Sequence, residues 1–257
     1  MNKNKAGSNK IEDPAMDVVE HLSELRLRLI FVLMLIIIST CILFYYSEYI
    51  LDYLTQPFHA STEIKRLNIF GLTEGFSLRL KSSVIASLFL TFPVILLQIW
   101  GYIKPAIEKK QRRLFRVNLF FAVLFFYTGS AFAFLMLLPF TIDMLISFIP
   151  QKMNNLINAS NYLNFIFYMS AGMGAVFELP VIINILTGIG LLTPSFLSGK
   201  RKYAIIIIWI TAAVITPADV LSQIIVAVPL MFLYELAIIF SWFTYKGYKR
   251  KSGIQEK

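Results

Sequence analysis

Four stretches of this chain run without a single charged side chain: Leu29–Ser47, Ser82–Ile103, Val117–Ile142 and Met153–Phe177, of 19, 22, 26 and 25 residues. A helix needs roughly 20 apolar residues to cross a hydrocarbon core about 30 Å thick. Each stretch therefore reads as a transmembrane helix. A fifth stretch, Tyr203 to Tyr245, has 43 residues. As helix it would be about 64 Å long, twice one crossing. Thr216-Pro217-Ala218-Asp219 interrupts it with a turn signal and a charge, which divides it into two short spans. The sequence thus predicts an all-α integral membrane protein with six transmembrane helices, at about 27–47, 77–103, 115–140, 161–187, 204–216 and 220–243. These form a single polytopic membrane domain over 1–257, with flexible tails at 1–10 and 249–257. Pro93, Pro139, Pro180 and Pro229 fall within or at the ends of predicted spans. Each removes a backbone donor and favours a kink, so the bundle is expected to be bent around a concave surface.

Composition agrees. The chain is 57% hydrophobic and 15% charged, whereas a soluble domain carries about 25% charged residues. Soluble enzyme classes are excluded on that ground. The formal charge of +9 would suggest nucleic acid in a soluble protein. Here the basic residues sit between the apolar runs instead. Segments 1–28, 104–116, 189–203 and 246–257 hold 19 Lys and Arg, against 3 in the alternate segments 48–75, 141–160 and 216–221. The positive-inside rule then places both termini in the cytoplasm. The first run does not read as a cleavable signal, because Asp17, Glu20 and Glu24 precede it and no small-residue cleavage site follows. The single cysteine, Cys41, lies inside an apolar run and excludes an intrachain disulfide.

Few residues carry chemistry. Asp13 and Pro14 suit the N-cap and first position of a helix whose Leu22, Leu25 and Leu29 form one stripe. On another side, Glu24 has two readings: a surface ion pair with Arg28 one turn on, or a carboxylate offered to a cationic partner at the membrane boundary. The loop 104–116 is basic, and Glu108 and Gln111 within it are three residues apart. Glu178 is the most informative position, since a carboxylate deep in a membrane segment is costly and marks function by default. Glu235 in the last span is a weaker case of the same kind. Asp219 suits a turn or N-cap opening the final helix. Ser170–Ala175 is a small-residue patch that lets helices approach closely. Asn158-Ala159-Ser160 fits a glycosylation pattern. Two histidines, one cysteine and no metalloprotease, nucleophile-elbow or P-loop motif argue against an enzyme, a metal site or bound ATP.

Several motifs occur in order: His21-Leu22-Ser23-Glu24-Leu25-Arg26, Gln56-Pro57-Phe58, Trp100 to Pro105 leading into Arg112-Arg113, Phe177-Glu178-Leu179-Pro180, and Thr216-Pro217-Ala218-Asp219-Val220-Leu221-Ser222-Gln223. Together they resemble the TatC family, the multispanning subunit of the twin-arginine protein translocase, over roughly 15–245. The resemblance implies a cup-shaped bundle in the bacterial cytoplasmic membrane that binds twin-arginine signal peptides of folded proteins. It implies TatA-type and, where present, TatB-type single-span partners, several copies of the chain in the assembled complex, transport driven by the proton-motive force, and no cofactor. The signal-peptide site would comprise Glu24 and Arg26 with Glu108 and Gln111. Where the family has a second carboxylate before the Arg pair, this chain has Gln111, which accepts a hydrogen bond without supplying charge; Glu108 or Glu20 would compensate. Glu178 would be the intramembrane acid facing the cup and Asp219 the acid of the opposite turn. Pro57, Pro105, Pro180 and Pro217 would be structural. A proton-coupled secondary transporter using Glu178 is the alternative from another class.

Overall fold

The structure, a computed structural model, describes residues 14–61, 67–103, 112–150, 156–216 and 219–252. Pro105, Glu108, Gln111 and Pro217 lie outside the described residues, as do 1–13. The described chain is helical apart from one isolated bridge: α1 (Pro14–Tyr45), α2 (Ser47–Ser61), α3 (Glu74–Ile103), α4 (Arg112–Phe132), a π-turn (Ala133–Leu137), α5 (Leu138–Ser147), α6 (Ala159–Phe177), α7 (Leu179–Gly188), α8 (Pro194–Gly199), α9 (Arg201–Ile215) and α10 (Val220–Ser252). The amphipathic segment and the first span are one continuous helix. It opens on Pro14, whose missing N–H is no loss in a first turn. α10 continues to Ser252, into the stretch expected to be a flexible tail. Lys249, Arg250 and Lys251 are good helix formers, and the next helix breaker in the sequence is Gly253.

Five segments among the described residues are long and apolar enough to cross a membrane: Leu22–Tyr45, Glu74–Tyr102, Arg116–Ser147, Ala159–Gly188 and Val220–Gly247. α9 has 15 residues. The most buried of the five is the α6–α7 segment. Leu163, Ile166, Met169 and Met173 of α6 form the centre of the core, against Leu137 and Leu138 on one side and Val226 and Leu230 of α10 on another. The small-residue patch is used there. A Cβ on Gly174 would stand 2.5 Å from the Ser130 hydroxyl and 2.7 Å from the Phe126 ring, so α4 and α6 pack closer than side chains would allow.

α1 is the opposite case. It packs along α3 and leaves Leu29, Leu33, Met34, Ile37 and Ile38 exposed. Water would not tolerate an apolar face of that extent; lipid does. Within hydrocarbon no hydrophobic force drives α1 onto α3, so small polar residues join them. The Ser39 and Ser87 hydroxyls meet at 2.6 Å, and Ser87 Oγ donates to the Ile36 carbonyl at 2.9 Å.

The prolines are accommodated in different ways. α3 and α10 are unbroken at Pro93 and Pro229. At Pro139 the chain widens into the π-turn, with Leu138 N–H donating to the Ala133 carbonyl, which lets the proline start a new helical segment where no donor is needed. At Pro180 the helix breaks at Glu178, whose N–H tightens onto the Ala175 carbonyl at 3.2 Å. Elsewhere a tyrosine intervenes. Pro93 cannot donate to the Phe89 carbonyl, and Tyr127 Oη on α4 donates to it at 2.7 Å. In α2, beside Pro57, Tyr162 Oη accepts from Phe58 N–H and donates to the Leu54 carbonyl, both at 3.2 Å. The hydroxyl bridges two groups that a regular turn joins directly. Tyr162 and Phe58 are buried and their rings meet edge to face at 5.3 Å.

Tyr162→Phe keeps that ring and leaves the two backbone groups without their bridge. Thermal unfolding in a fixed detergent should show a loss of about 1–3 kcal/mol, the net worth of the two hydrogen bonds the hydroxyl makes. An unchanged midpoint would show that α2 closes its ladder without the tyrosine.

Candidate functional site

Antiparallel packing sorts the polar side chains to two ends of the bundle. One end gathers the start of α1, the end of α3, the start of α4, the α7–α9 region and the end of α10. Its described cations include Arg26, Arg28, Arg116, Lys200, Arg201, Lys202 and Lys246. Lys200 lies over the rings of Phe196 and Tyr203, at 6.0 and 5.0 Å, and Lys246 over Trp242 at 5.4 Å. Aromatic rings beside basic tips are what a membrane–water boundary selects.

Glu24 belongs to this end. Arg28, one turn along α1, donates from Nε and Nη2 to Glu24 Oε1 at 3.0 and 2.6 Å. Its third nitrogen, Nη1, donates to Gln98 Oε1 on α3 at 3.0 Å. The guanidinium lies against Gly101, where any Cβ would overlap it. The intrahelical ion pair expected from spacing is therefore present, but it also reaches across to α3, which spacing could not show. Glu24 keeps 37% of its side chain exposed. Arg26 is exposed on the same helix. The structure thus brings Glu24 together with Arg28, Gln98 and Gly101; Gln98 lies outside the motifs, and Gly101 sits within the stretch from Trp100 to Pro105 with nothing there to mark its contact with Arg28.

Glu178 sits at the α6–α7 break, nine-tenths buried, and its Oε1 has no hydrogen-bonding partner among the described residues. A cavity of about 620 Å³ lies further toward the opposite end, lined by Tyr53, Leu54, Phe89, Tyr127, Phe134 and Ser170 among others. Glu178 does not line it. Glu235 is not a lone intramembrane acid. It accepts two bonds from Arg201 at the start of α9, Nε to Oε1 and Nη2 to Oε2, each 2.9 Å, a fork-to-fork pairing whose partners lie 34 residues apart.

The opposite end is a knot of caps. Asn68 and Asn158 form the isolated bridge, with Asn68 N–H donating to the Ile157 carbonyl at 2.9 Å and Ala159 N–H to the Asn68 carbonyl at 3.0 Å. Asn158 caps α6 through Asn161 N–H and donates to Glu74 Oε1 at 2.6 Å. The glycosylation pattern is therefore built from a side chain already engaged on both atoms. Glu74 Oε2 accepts from Phe70 and Gly71 N–H, and Arg79 pairs with Glu48. Asp219 caps α10, accepting Ser222 N–H on Oδ2 at 2.6 Å, while Oδ1 has no partner among the described residues.

An all-helical chain with five long apolar segments, a lipid-suited outer surface and charges drawn to two ends is a multi-pass membrane protein. The comparisons narrow the class. The family described as Sec-independent protein translocase protein (TatC) matches residues 20–229, and the chain belongs to that family. It is 33% identical over 240 residues to the TatCy protein of Bacillus subtilis, covering 93% of each chain. It is 34% identical over 235 residues to TatC of Carboxydothermus hydrogenoformans, covering 91% of this chain and 96% of the relative. Two crystal structures of TatC, titled as the twin-arginine translocase receptor, are similar to it with TM-scores of 0.74 and 0.75 at 31% identity. They cover 87% and 86% of this chain and 99% of the solved chains. The protein is thus a component of a protein translocase and not an enzyme, as the motifs implied.

The Arg201–Glu235 pair fixes the start of α9 on α10, so reversing one charge should separate them. Glu235→Arg should lower the amount of folded protein recovered from membranes by severalfold, and Arg201→Glu with Glu235→Arg should restore it. Failure of the double variant to recover would assign the effect to something other than the pair.

Proposed function

We propose that this chain is the core subunit of a twin-arginine translocase and that it binds the signal peptides of folded export substrates at its basic end. The observation that carries the reading is Glu24, a half-exposed carboxylate on a family motif that already holds one guanidinium, that of Arg28. Arginine pairs with carboxylate through fixed, parallel donors, a geometry lysine cannot copy. Glu24 is the principal charged contact for the arginine pair, Arg26 lies beside it on α1, Gln111 adds neutral hydrogen bonding, and Glu108 is the second charge. Glu178 and Asp219 serve assembly with TatA-type and TatB-type subunits, and the proton-motive force drives transport. In this reading α9 counts as the fifth of six crossings, both termini face the cytoplasm of a bacterial cell, and several copies join in the active complex.

Charge-assisted hydrogen bonds contribute about 1.5–3 kcal/mol, and each 1.4 kcal/mol is about a decade in affinity. Glu24→Gln should therefore weaken binding of a twin-arginine peptide by roughly ten- to a hundredfold, measured on the purified protein. Gln111→Glu should strengthen it, and a twin-lysine peptide should bind worse than twin-arginine. Wild-type affinity in Glu24→Gln, or equal binding of both peptides, would remove the receptor role from this face.

Orientation has its own check. With Cys41 replaced by serine, single cysteines at Lys202 and at the fully exposed Leu72 should react with an impermeant maleimide from opposite sides of the membrane, Leu72→Cys from outside intact cells. Reaction of both from one side would overturn the topology.

A further inference from the structure

Three polar side chains from three helices form a chain within the apolar bundle near its basic end. Thr244 Oγ1 on α10 donates to Asn184 Oδ1 on α7 at 2.5 Å, and Asn184 Nδ2 donates to Asn118 Oδ1 on α4 at 2.7 Å. The chain stops there. Asn118 is 3% exposed, and its Nδ2 has no hydrogen-bond partner among the described residues. All three residues line a cavity of about 150 Å³ whose other walls include Val117, Phe121, Pro180, Phe240 and Phe243. A buried amide donor left unmade in such surroundings is unfavourable, because no water replaces the missing acceptor. The polar side chains of this cavity are already turned toward one another, so no described side chain is left to complete the chain, and an acceptor from outside the protein would do so.

The cavity restricts what that acceptor is attached to. Its volume matches one benzene-sized apolar group and excludes a helix about 10 Å across. Its apolar walls refuse an ion. Its depth is set by the neighbouring cations: Arg116 precedes Asn118 by two residues and Lys246 follows Thr244 by two, roughly 3 Å along each helix. Basic side chains of this kind mark the boundary between hydrocarbon and headgroup. An uncharged carbonyl joined to a hydrocarbon tail is what a bilayer offers at that depth. We propose that the α4–α7–α10 cleft is a binding site for a glycerophospholipid, with Asn118 donating to an acyl ester carbonyl and the first methylenes of that acyl chain filling the cavity. The site is separate from Glu24 and does not depend on how signal peptides bind.

The test separates the ester from the rest of the lipid. The purified full chain in detergent is titrated with dioleoyl phosphatidylglycerol and with its dialkyl-ether analogue, and bound lipid is counted by native mass spectrometry. The two share headgroup and tails, but only the diester carries the carbonyl. The wild type should hold the diester roughly three- to tenfold more tightly, the span of one neutral hydrogen bond. Asn118→Leu should bind both lipids alike. Equal retention of the two lipids by the wild type would overturn the proposal and assign the cavity to water or to nonspecific chain contact; so would a diester preference that persists in Asn118→Leu. The wild-type comparison decides the matter even where the variant does not fold.

Discussion

A backbone surrounded by hydrocarbon has no water to complete its hydrogen bonds, and this constraint organises the molecule. Proline is where it is felt, because each one removes a donor. Three remedies are visible. At Pro139 the helix changes pitch ahead of the ring. At Pro180 it stops and restarts. At Pro93 and beside Pro57, a tyrosine on a neighbouring helix brings its hydroxyl to a carbonyl of the interrupted turn. The last remedy joins local defect to tertiary contact: Tyr127 ties α4 to α3, and Tyr162 ties α6 to α2. Prolines that would weaken an isolated helix here select its neighbours. Nothing in the structure marks a break at Pro229.

Much of this was legible in the residues, for identifiable reasons. Crossings are legible because lipid tolerates so few charges that uncharged runs have little other meaning. The Glu24–Arg28 pair follows from helical periodicity. What escaped is what periodicity within one helix cannot encode. Gln98 and Arg28 are 70 residues apart, and Gly101 matters only because a guanidinium passes over it. Arg201 and Glu235 belong to different helices, so no spacing within either helix pairs them. Asn118, Asn184 and Thr244 are single polar residues in apolar runs, and the sequence does not tell whether such residues face one another. Tyr162 has no motif; only the gap it fills explains it.

The family resemblance rested on motifs that the structure distributes over both ends and the middle of the bundle. The α1 motif supplies Glu24 at the basic end, the Glu178 motif makes the central break, and the motif at Asp219 caps α10 at the far end. The proposed recognition role belongs to the α1 motif together with Glu108 and Gln111 ahead of the Arg pair. The motifs at Glu178 and Asp219 hold helix ends, one where α6 gives way to α7 and the other at the start of α10.

The length of α9 has a consequence for the membrane itself. Its 15 residues give roughly 22 Å of helix, against a hydrocarbon core about 30 Å thick. Counted as a crossing, it leaves a mismatch that tilt cannot relieve, since tilting shortens a helix's reach. The lipid must yield instead, by thinning around α9 or by drawing headgroups and water down to the Arg201–Glu235 pair, at a cost of fractions of a kcal/mol per ångström. The perimeter of the protein is then uneven: full bilayer beside α1 and α3, a dimpled annulus beside α9. A neighbouring helix with a short apolar stretch would settle on that side by thickness alone, before any specific contact was made.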